Sequence, residues 1–96
     1  MTKIEIKATA RAQQKYNEIV NGSKKEIGIF FKNLKSGGLN KEDFEFMFEV
    51  EKDKFYSKKC KNVYIIFLID DEKSIIIVDF LTEIEYNNLM KNKETK

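Results

Sequence analysis

Two runs of apolar, β-favouring residues near the end of the chain constrain its fold more than any other feature. Val63–Ile69 and Ile75–Leu81 are separated by five polar residues, a length typical of a β-hairpin loop. Val63–Ile69 does not alternate with polar residues, so both of its faces should be covered by other parts of the protein. We therefore predict a hairpin whose first strand is central in an antiparallel sheet.

The amino-terminal residues predict a strand that runs into a helix. Ile4, Ile6 and Ala8 alternate with charged residues, which is typical of a half-buried strand. From Ala10 onward the apolar residues adopt helical spacing, and Thr9 stands at the N-cap position. The apolar stripe of this helix consists of Ala12, Tyr16, Ile19 and Val20. Asn21-Gly22 should end the helix.

A second helix is predicted directly after the first. Ser23–Glu26 has the Ser-x-x-Glu form of a capping box, and Ser36-Gly37-Gly38 should end the helix because glycine readily adopts the left-handed conformation. The apolar face of this helix consists of Ile27, Phe30, Phe31 and Leu34. The two helices should form an αα-hairpin that packs on one face of the sheet.

Residues 39–54 fit two interpretations. Phe44, Phe46, Phe48 and Val50 alternate with other residues, as in a strand. A helix that begins after Asn40, with acidic residues in its first turn, fits the same residues. The strict alternation favours the strand.

The remaining elements follow from shorter patterns. Phe55–Lys58 predicts a short strand, Lys59–Asn62 a turn, and Glu83–Lys91 a terminal helix. The length of 96 residues allows one domain, residues 1–96, with 1–91 as its ordered core and 92–96 as a frayed tail. The predicted fold class is α+β: an N-terminal strand, an αα-hairpin, an antiparallel β-meander and a short C-terminal helix.

The composition excludes several kinds of chemistry. The chain has no histidine, which excludes Ser-His and Cys-His nucleophile systems. Its one cysteine, Cys60, excludes an internal disulfide, and without a visible base we interpret it as an incidental thiol. We predict no metal site and no cofactor, since the three adjacent acids Asp70–Glu72 do not have the spacing of a cation site. The free thiol and the lack of an apolar leader or membrane segment predict a cytoplasmic protein.

Charge is separated into blocks along the chain. Residues 41–53 carry a net charge of −4, residues 54–69 of +4 and residues 70–85 of −5. The basic block interleaves lysines with aromatic rings, a pattern that can pair ammonium groups with phosphates while rings stack on bases. We therefore predict a nucleic-acid-binding surface composed of Lys54, Tyr56, Lys58, Lys59, Lys61 and Tyr64. The alternative is an exposed hairpin that its lysines keep soluble.

The order of elements and the hairpin Tyr64–Val78, with its acidic turn, resemble the RelE/ParE superfamily of bacterial toxins. Thr2–Ala12 is similar to the first strand of that family, which runs into an Ala-containing helix. The resemblance implies a toxin with a cognate antitoxin protein as its partner. RelE-like members cleave mRNA at the ribosome without a metal, whereas ParE-like members poison DNA gyrase without known chemistry of their own.

The resemblance implies one catalytic residue, but the sequence departs from the family pattern at two places. Tyr86 stands near the place of a C-terminal tyrosine found in several members, so the resemblance implies that it is catalytic; the alternative is a half-buried helix residue. Val63 and Tyr64 stand where the family usually has arginine, and Thr82–Glu85 replaces a run of basic residues.

Two other interpretations remain open because of these departures. The first is a phage- or mobile-element-encoded inhibitor that binds a host protein or nucleoprotein without catalysis. The second is an unrelated small interaction module. The composition, with seventeen lysines against one arginine, is typical of an AT-rich bacterial or phage genome.

Overall fold

The computed structural model describes residues 4–71 and 73–94. Its strands are β1 (Glu5–Ala8), β2 (Glu45–Val50), β3 (Asp53–Cys60), β4 (Val63–Asp71) and β5 (Ser74–Thr82). Its helices are α1 (Ala10–Asn17), α2 (Asn21–Gly37) and α3 (Glu83–Glu94), and a 3₁₀ turn at Lys41–Asp43 precedes β2. The predicted α+β order of elements is confirmed.

The five strands form one sheet in the order β1-β5-β4-β3-β2, so β4 is central as predicted. β2 to β5 form an antiparallel meander, but β1 pairs with β5 in parallel, with Ile6 opposite Ile75. The expectation of an antiparallel sheet throughout was wrong for this pair. Both helices of the hairpin lie between β1 and the meander in sequence, so no tight turn determines the direction of β1.

Helices cover both faces of the sheet, which explains the unbroken apolar run in β4. Ile65 and Phe67 belong to the core beneath α1 and α2, whereas Tyr64 and Ile66 belong to a smaller core beneath α3. On α2 the buried positions recur at helical spacing. They are Ser23, Ile27, Phe30 and Leu34, whereas Phe31 is half-buried.

The helix boundaries confirm one predicted cap and contradict another. Thr9 caps α1, and its Oγ1 accepts a hydrogen bond from the backbone N–H of Ala12 at 3.1 Å. α1 ends at Asn17, however, and α2 begins at Asn21 with no side-chain cap. The predicted capping box at Ser23 was therefore wrong. The backbone N–H groups of Ser23 and Lys24 both donate to the carbonyl of Val20, which starts the helix earlier.

The strand interpretation of residues 39–54 is confirmed for β2. The first part of the segment forms the 3₁₀ turn instead, in which Asn40 Oδ1 accepts a hydrogen bond from the backbone N–H of Glu42. β3 is longer than predicted, and the turn after it is restricted to Lys61 and Asn62 because Lys61 adopts a φ of 57°.

α3 continues to Glu94, three residues beyond the predicted end, and residues 95–96 lie outside the described part. Within that part, no helix has the length and apolar character needed to cross a membrane.

Candidate functional site

A capping box fixes the start of α3 directly after β5. The backbone N–H of Glu85 donates to Thr82 Oγ1 at 3.2 Å, and the backbone N–H of Thr82 donates to Glu85 Oε1 at 2.9 Å. The hydrogen bond from Thr82 lowers the pKa of the Glu85 carboxyl, and nearby Lys15 lowers it further. α3 thereby folds back over β4, on the face opposite the αα-hairpin.

This placement stacks two tyrosine rings. The centroids of the Tyr64 and Tyr86 rings lie 3.7 Å apart with an angle of 3° between their planes. The hydroxyl of Tyr86 shares a hydrogen bond of 3.2 Å with the hydroxyl of Ser57, a buried residue of β3. The stack and the hydrogen bond together hold the Tyr86 hydroxyl in one position.

A lysine lies beside the stacked rings. Lys59 Nζ is 5.8 Å from the centroid of the Tyr64 ring, and the Lys59 side chain is exposed. We call Ser57, Lys59, Tyr64 and Tyr86 the tyrosine site. A cavity of about 300 Å³ opens at the site, and residues of the segment around the start of β2 line its other side: Glu42, Asp43, Phe44 and Glu45.

Two of the predicted binding residues face the other side of the sheet. Tyr56 packs edge-on against Phe44 and stacks on Phe67 in the core beneath the hairpin. Lys58 borders the cavity, but its Nζ lies 5.7 Å from the centroid of the Phe30 ring of α2. Successive residues of a strand point to opposite faces, so Tyr56 lies across the sheet from Ser57 and Lys59. The Lys58 ammonium group is directed towards Phe30, although the residue still borders the cavity.

The other predicted residues are spread along β3 and its turn. Lys54 is exposed and lies opposite Glu49 at the far end of the strand. Lys61 lies in the β3–β4 turn, where its ammonium group approaches Gly22 at the start of α2. Of the seven predicted site residues, the structure therefore brings Lys59, Tyr64 and Tyr86 together at the tyrosine site, with Lys58 at the border of its cavity.

Sequence reasoning missed Ser57 and the three acidic residues at the cavity. Strand alternation was a usable signal for Ser57, because residues 57 and 59 share a face. The acidic residues could not be predicted in this way. Glu45 lies opposite Ser57 because of the register in which β2 pairs with β3, and local sequence does not determine that register. A bulge at Met47 shifts that register between Phe46 and Phe48.

The chain's one arginine and one cysteine do not line the cavity at the tyrosine site. Arg11 of α1 pairs with Asp79 at 3.3 Å, and Lys15 bridges Asp79 and Glu85 at 3.3 and 3.5 Å. Cys60 is buried, and burial raises the pKa of its thiol to about 11, so it is a poor nucleophile. Among the described residues, no three cysteine or acidic side chains converge in a way that could hold a metal ion.

The side chains at the cavity can neutralise a phosphate and transfer protons. Lys59 supplies an ammonium group, Tyr86 a positioned hydroxyl, and Glu42 and Glu45 supply carboxylates. Carboxylates and phenols act as general bases and acids where they reach the reacting atoms. The arrangement lacks the bidentate phosphate recognition that an arginine provides.

The fold is RelE-like. A chain in the crystal structure of the archaeal RelE-RelB complex from Pyrococcus horikoshii OT3 superposes with a TM-score of 0.67. The two chains share 14% sequence identity, and the match covers 85% of this chain and 96% of that one. No protein-family model matches the sequence. No curated protein matches it either.

Proposed function

We propose that this protein is a RelE-like toxin of a toxin–antitoxin pair that acts on RNA at the tyrosine site. The observation that carries the proposal is the Tyr86 hydroxyl, held by Tyr64 and Ser57 beside Lys59 on a RelE-like fold. The solved relative is a complex with RelB, which supports a cognate antitoxin as the partner here. The protein would act at the ribosome on bound mRNA, as the resemblance implies.

The side chains at the cavity supply the groups that metal-independent RNA cleavage needs. In this reaction the 2′-oxygen forms a bond to the adjacent phosphorus while the bond to the 5′-oxygen breaks, which leaves a cyclic phosphate. Glu42 or Glu45 would take the proton of the 2′-hydroxyl, and Tyr86 would give a proton to the leaving 5′-oxygen. Lys59 would neutralise the charge that develops on the phosphate.

A second candidate function follows from the acidic rim. Glu42, Asp43 and Glu45 line the cavity, and carboxylates repel the phosphates of RNA. This acidic rim favours a second function, in which the protein binds and blocks a host protein or nucleoprotein without cutting RNA, as a phage-encoded inhibitor would. The two functions differ in whether any RNA bond is broken.

Inducible expression in bacteria, with and without the adjacent gene, tests the proposal. We expect growth arrest that co-expression of an antitoxin relieves, and primer extension should reveal new mRNA ends soon after induction. Growth arrest with intact mRNA would favour the non-cleaving inhibitor. Normal growth would contradict the toxin function.

Two single variants and one matched control test the site itself. Tyr86→Phe retains the ring stack but removes the hydroxyl, so it should abolish cleavage while RNA binding persists. Lys59→Gln should lower the slope of log affinity against log salt by about 1, because it removes one phosphate contact. Lys54→Gln, at an exposed position of the same strand, should leave the slope unchanged. Equal effects of both lysine variants would contradict a role for Lys59 at the site.

A further inference from the structure

A network of salt bridges joins the first helix to the start of the last. Lys15 Nζ lies 3.3 Å from Oδ1 of Asp79 and 3.5 Å from Oε1 of Glu85. Asp79 lies in β5 and Glu85 in the first turn of α3, so one ammonium group connects three elements. Arg11, one turn before Lys15 in α1, contacts Oδ2 of Asp79 at 3.3 Å. The two cations of α1 therefore share Asp79, and Lys15 contacts Glu85 as well.

The end of β1 explains how a side chain of α1 reaches the start of α3. β1 pairs with β5 only as far as Ala8, which lies opposite Ile77. The chain then leaves the sheet and enters α1, which packs against β5. Beyond Ile77, none of the described strands pairs with this side of β5. Lys15 therefore reaches Glu85 past an open side of β5 rather than through the sheet.

α3 depends on such contacts because it buries little of its own surface. Within the described range 83–91, no residue of α3 is fully buried. Its apolar contacts with the sheet come from the half-buried side chains of Tyr86, Leu89 and Met90. Ile84, in the first turn, is exposed. The first turn is therefore held by polar groups, namely the capping box and the ion pair between Lys15 and α3.

Both of these polar contacts converge on one carboxylate oxygen. Oε1 of Glu85 accepts from the backbone N–H of Thr82 at 2.9 Å and also faces Lys15 Nζ. Asp79 holds Lys15 from the other side, and its own Oδ1 accepts a hydrogen bond of 2.9 Å from the backbone N–H of Phe80. The side chains of Lys15 and Asp79 are 23% and 19% exposed, so solvent screens their contact less than it screens a fully exposed pair.

We propose that Lys15 is a positioning residue for Tyr86, which it orients through Glu85. Glu85 and Tyr86 are adjacent in the chain, so holding the carboxylate holds the backbone that carries the ring. The ring planes of Tyr64 and Tyr86 are parallel within 3°, and a rotation of the first turn of α3 would move the hydroxyl away from Ser57. The inference rests on the proposed function, in which Tyr86 donates a proton to the leaving oxygen. Loss of Lys15 should therefore slow the chemical step and leave RNA binding unchanged.

Nuclear magnetic resonance of the tyrosine rings tests this positioning without RNA. A stacked ring shifts the resonances of its neighbour upfield, so labelling the four tyrosines reports on the Tyr64–Tyr86 stack directly. Lys15→Met removes the charge but retains an unbranched side chain, and it should move both sets of resonances towards those of an unstacked tyrosine. Lys15→Arg should preserve the stack, because a guanidinium group also pairs with carboxylates. Unchanged Tyr64 and Tyr86 resonances in Lys15→Met would overturn the proposal.

Arg11→Met is the matched control. It also removes one cation of α1 from Asp79, but it leaves the contact between Lys15 and Glu85 in place. The resonances of the stacked rings should therefore stay as they are in the wild type. Equal displacement in Arg11→Met and Lys15→Met would show that the charge around Asp79 orients the ring, which would overturn the proposal.

A double-mutant cycle tests whether Lys15 acts through Glu85. Glu85→Gln removes the charge that Lys15 contacts but retains a side-chain oxygen that can accept from the backbone N–H of Thr82. Adding Lys15→Met to Glu85→Gln should displace the ring resonances no further. Additive displacements would show that Lys15 acts independently of Glu85 and would contradict the inference.

Single-turnover cleavage of mRNA on purified ribosomes provides the second readout. At saturating ribosome concentration, Lys15→Met should lower the cleavage rate by about two- to fivefold. The ribosome concentration that gives half the maximal rate should not change, and Lys15→Arg should restore most of the rate. An increase in that concentration at an unchanged maximal rate would assign Lys15 to binding and overturn the proposal. If the wild type cuts no RNA, the proposed function fails, whereas the ring resonances still decide whether Lys15 positions Tyr86.

Discussion

Two adjacent phenylalanines of α2 occupy different environments. Phe30 is 4% exposed and its ring centroid lies 6.1 Å from that of Phe67, whereas Phe31 is half-buried and lines an open cavity between α1, α2, β1 and β5. Phe30→Ala should lower the free energy of unfolding by about 3–5 kcal/mol because it leaves a cavity in the core. Phe31→Ala should cost only about 1–2 kcal/mol, since solvent already reaches the ring. Equilibrium urea unfolding compares the two, and equal losses would contradict the assigned faces of α2.

The buried thiol of Cys60 should make stability depend on pH in the alkaline range. Burial raises the pKa of this thiol from 9.0 to about 11 in the folded protein. Between these values the unfolded thiol has lost its proton while the folded thiol retains it, so the unfolded state binds fewer protons. The free energy of unfolding should therefore fall by about 1 kcal/mol per pH unit. This contribution is fully present below pH 9 and is lost as the pH approaches 11.

Cys60→Ala provides the control for this pH dependence. All other ionisable groups of the chain are present in both proteins, so the comparison isolates the thiol. The stability difference between wild type and variant should therefore narrow as the pH rises from 9 to 11. A constant difference across this range would show that the thiol titrates normally in the folded protein.

At the scale of elements, the Thr82–Glu85 capping box connects β5 to the tyrosine site. Thr82→Ala removes the hydroxyl that accepts from the backbone N–H of Glu85, and it should lower the free energy of unfolding by about 1 kcal/mol. Tyr86 follows Glu85 directly, so fraying of the first turn should also loosen the Tyr64–Tyr86 stack. The chain has no tryptophan, so the near-ultraviolet circular dichroism signal comes mainly from its tyrosines and should weaken.

Thr82→Ser is the matched variant, because serine retains the capping hydroxyl. It should preserve both the stability and the near-ultraviolet signal. If Thr82→Ala leaves that signal unchanged, the stacked rings do not depend on the capping box.

The two capping boxes show what could be predicted at this scale. The strands β4 and β5 and the N-cap at Thr9 followed from local patterns, because hydrophobic period and cap chemistry act within a few residues. Ser23–Glu26 and Thr82–Glu85 have the same local signature, yet only the second starts a helix in the structure. The difference arises from the preceding chain, since α2 had already begun at Asn21.

At the scale of the whole molecule, the sheet divides the basic block of residues 54–69 between its two faces. Lys58 and Lys59 are neighbours in the chain, but one lies against Phe30 of α2 and the other beside Tyr64 near α3. Net charge per segment could not distinguish them, whereas strand alternation with the correct register could. The parallel pairing of β1 was also not predictable, because it depends on how the chain returns to the sheet rather than on residues 5–8 themselves.

The sheet order predicts how the backbone amides exchange with solvent. β4 is hydrogen-bonded to β3 on one side and to β5 on the other, and Ile65 and Phe67 are fully buried beneath the hairpin. Their amides should exchange only by global unfolding, so their opening free energy should equal that measured by urea unfolding under the same conditions. Amides in the edge strands β1 and β2 should open at lower free energy, because each has a neighbouring strand on one side alone. Native-state hydrogen exchange measures both groups in one experiment. Amides of Ile65 and Phe67 that exchange as readily as those of β2 would contradict the central position of β4.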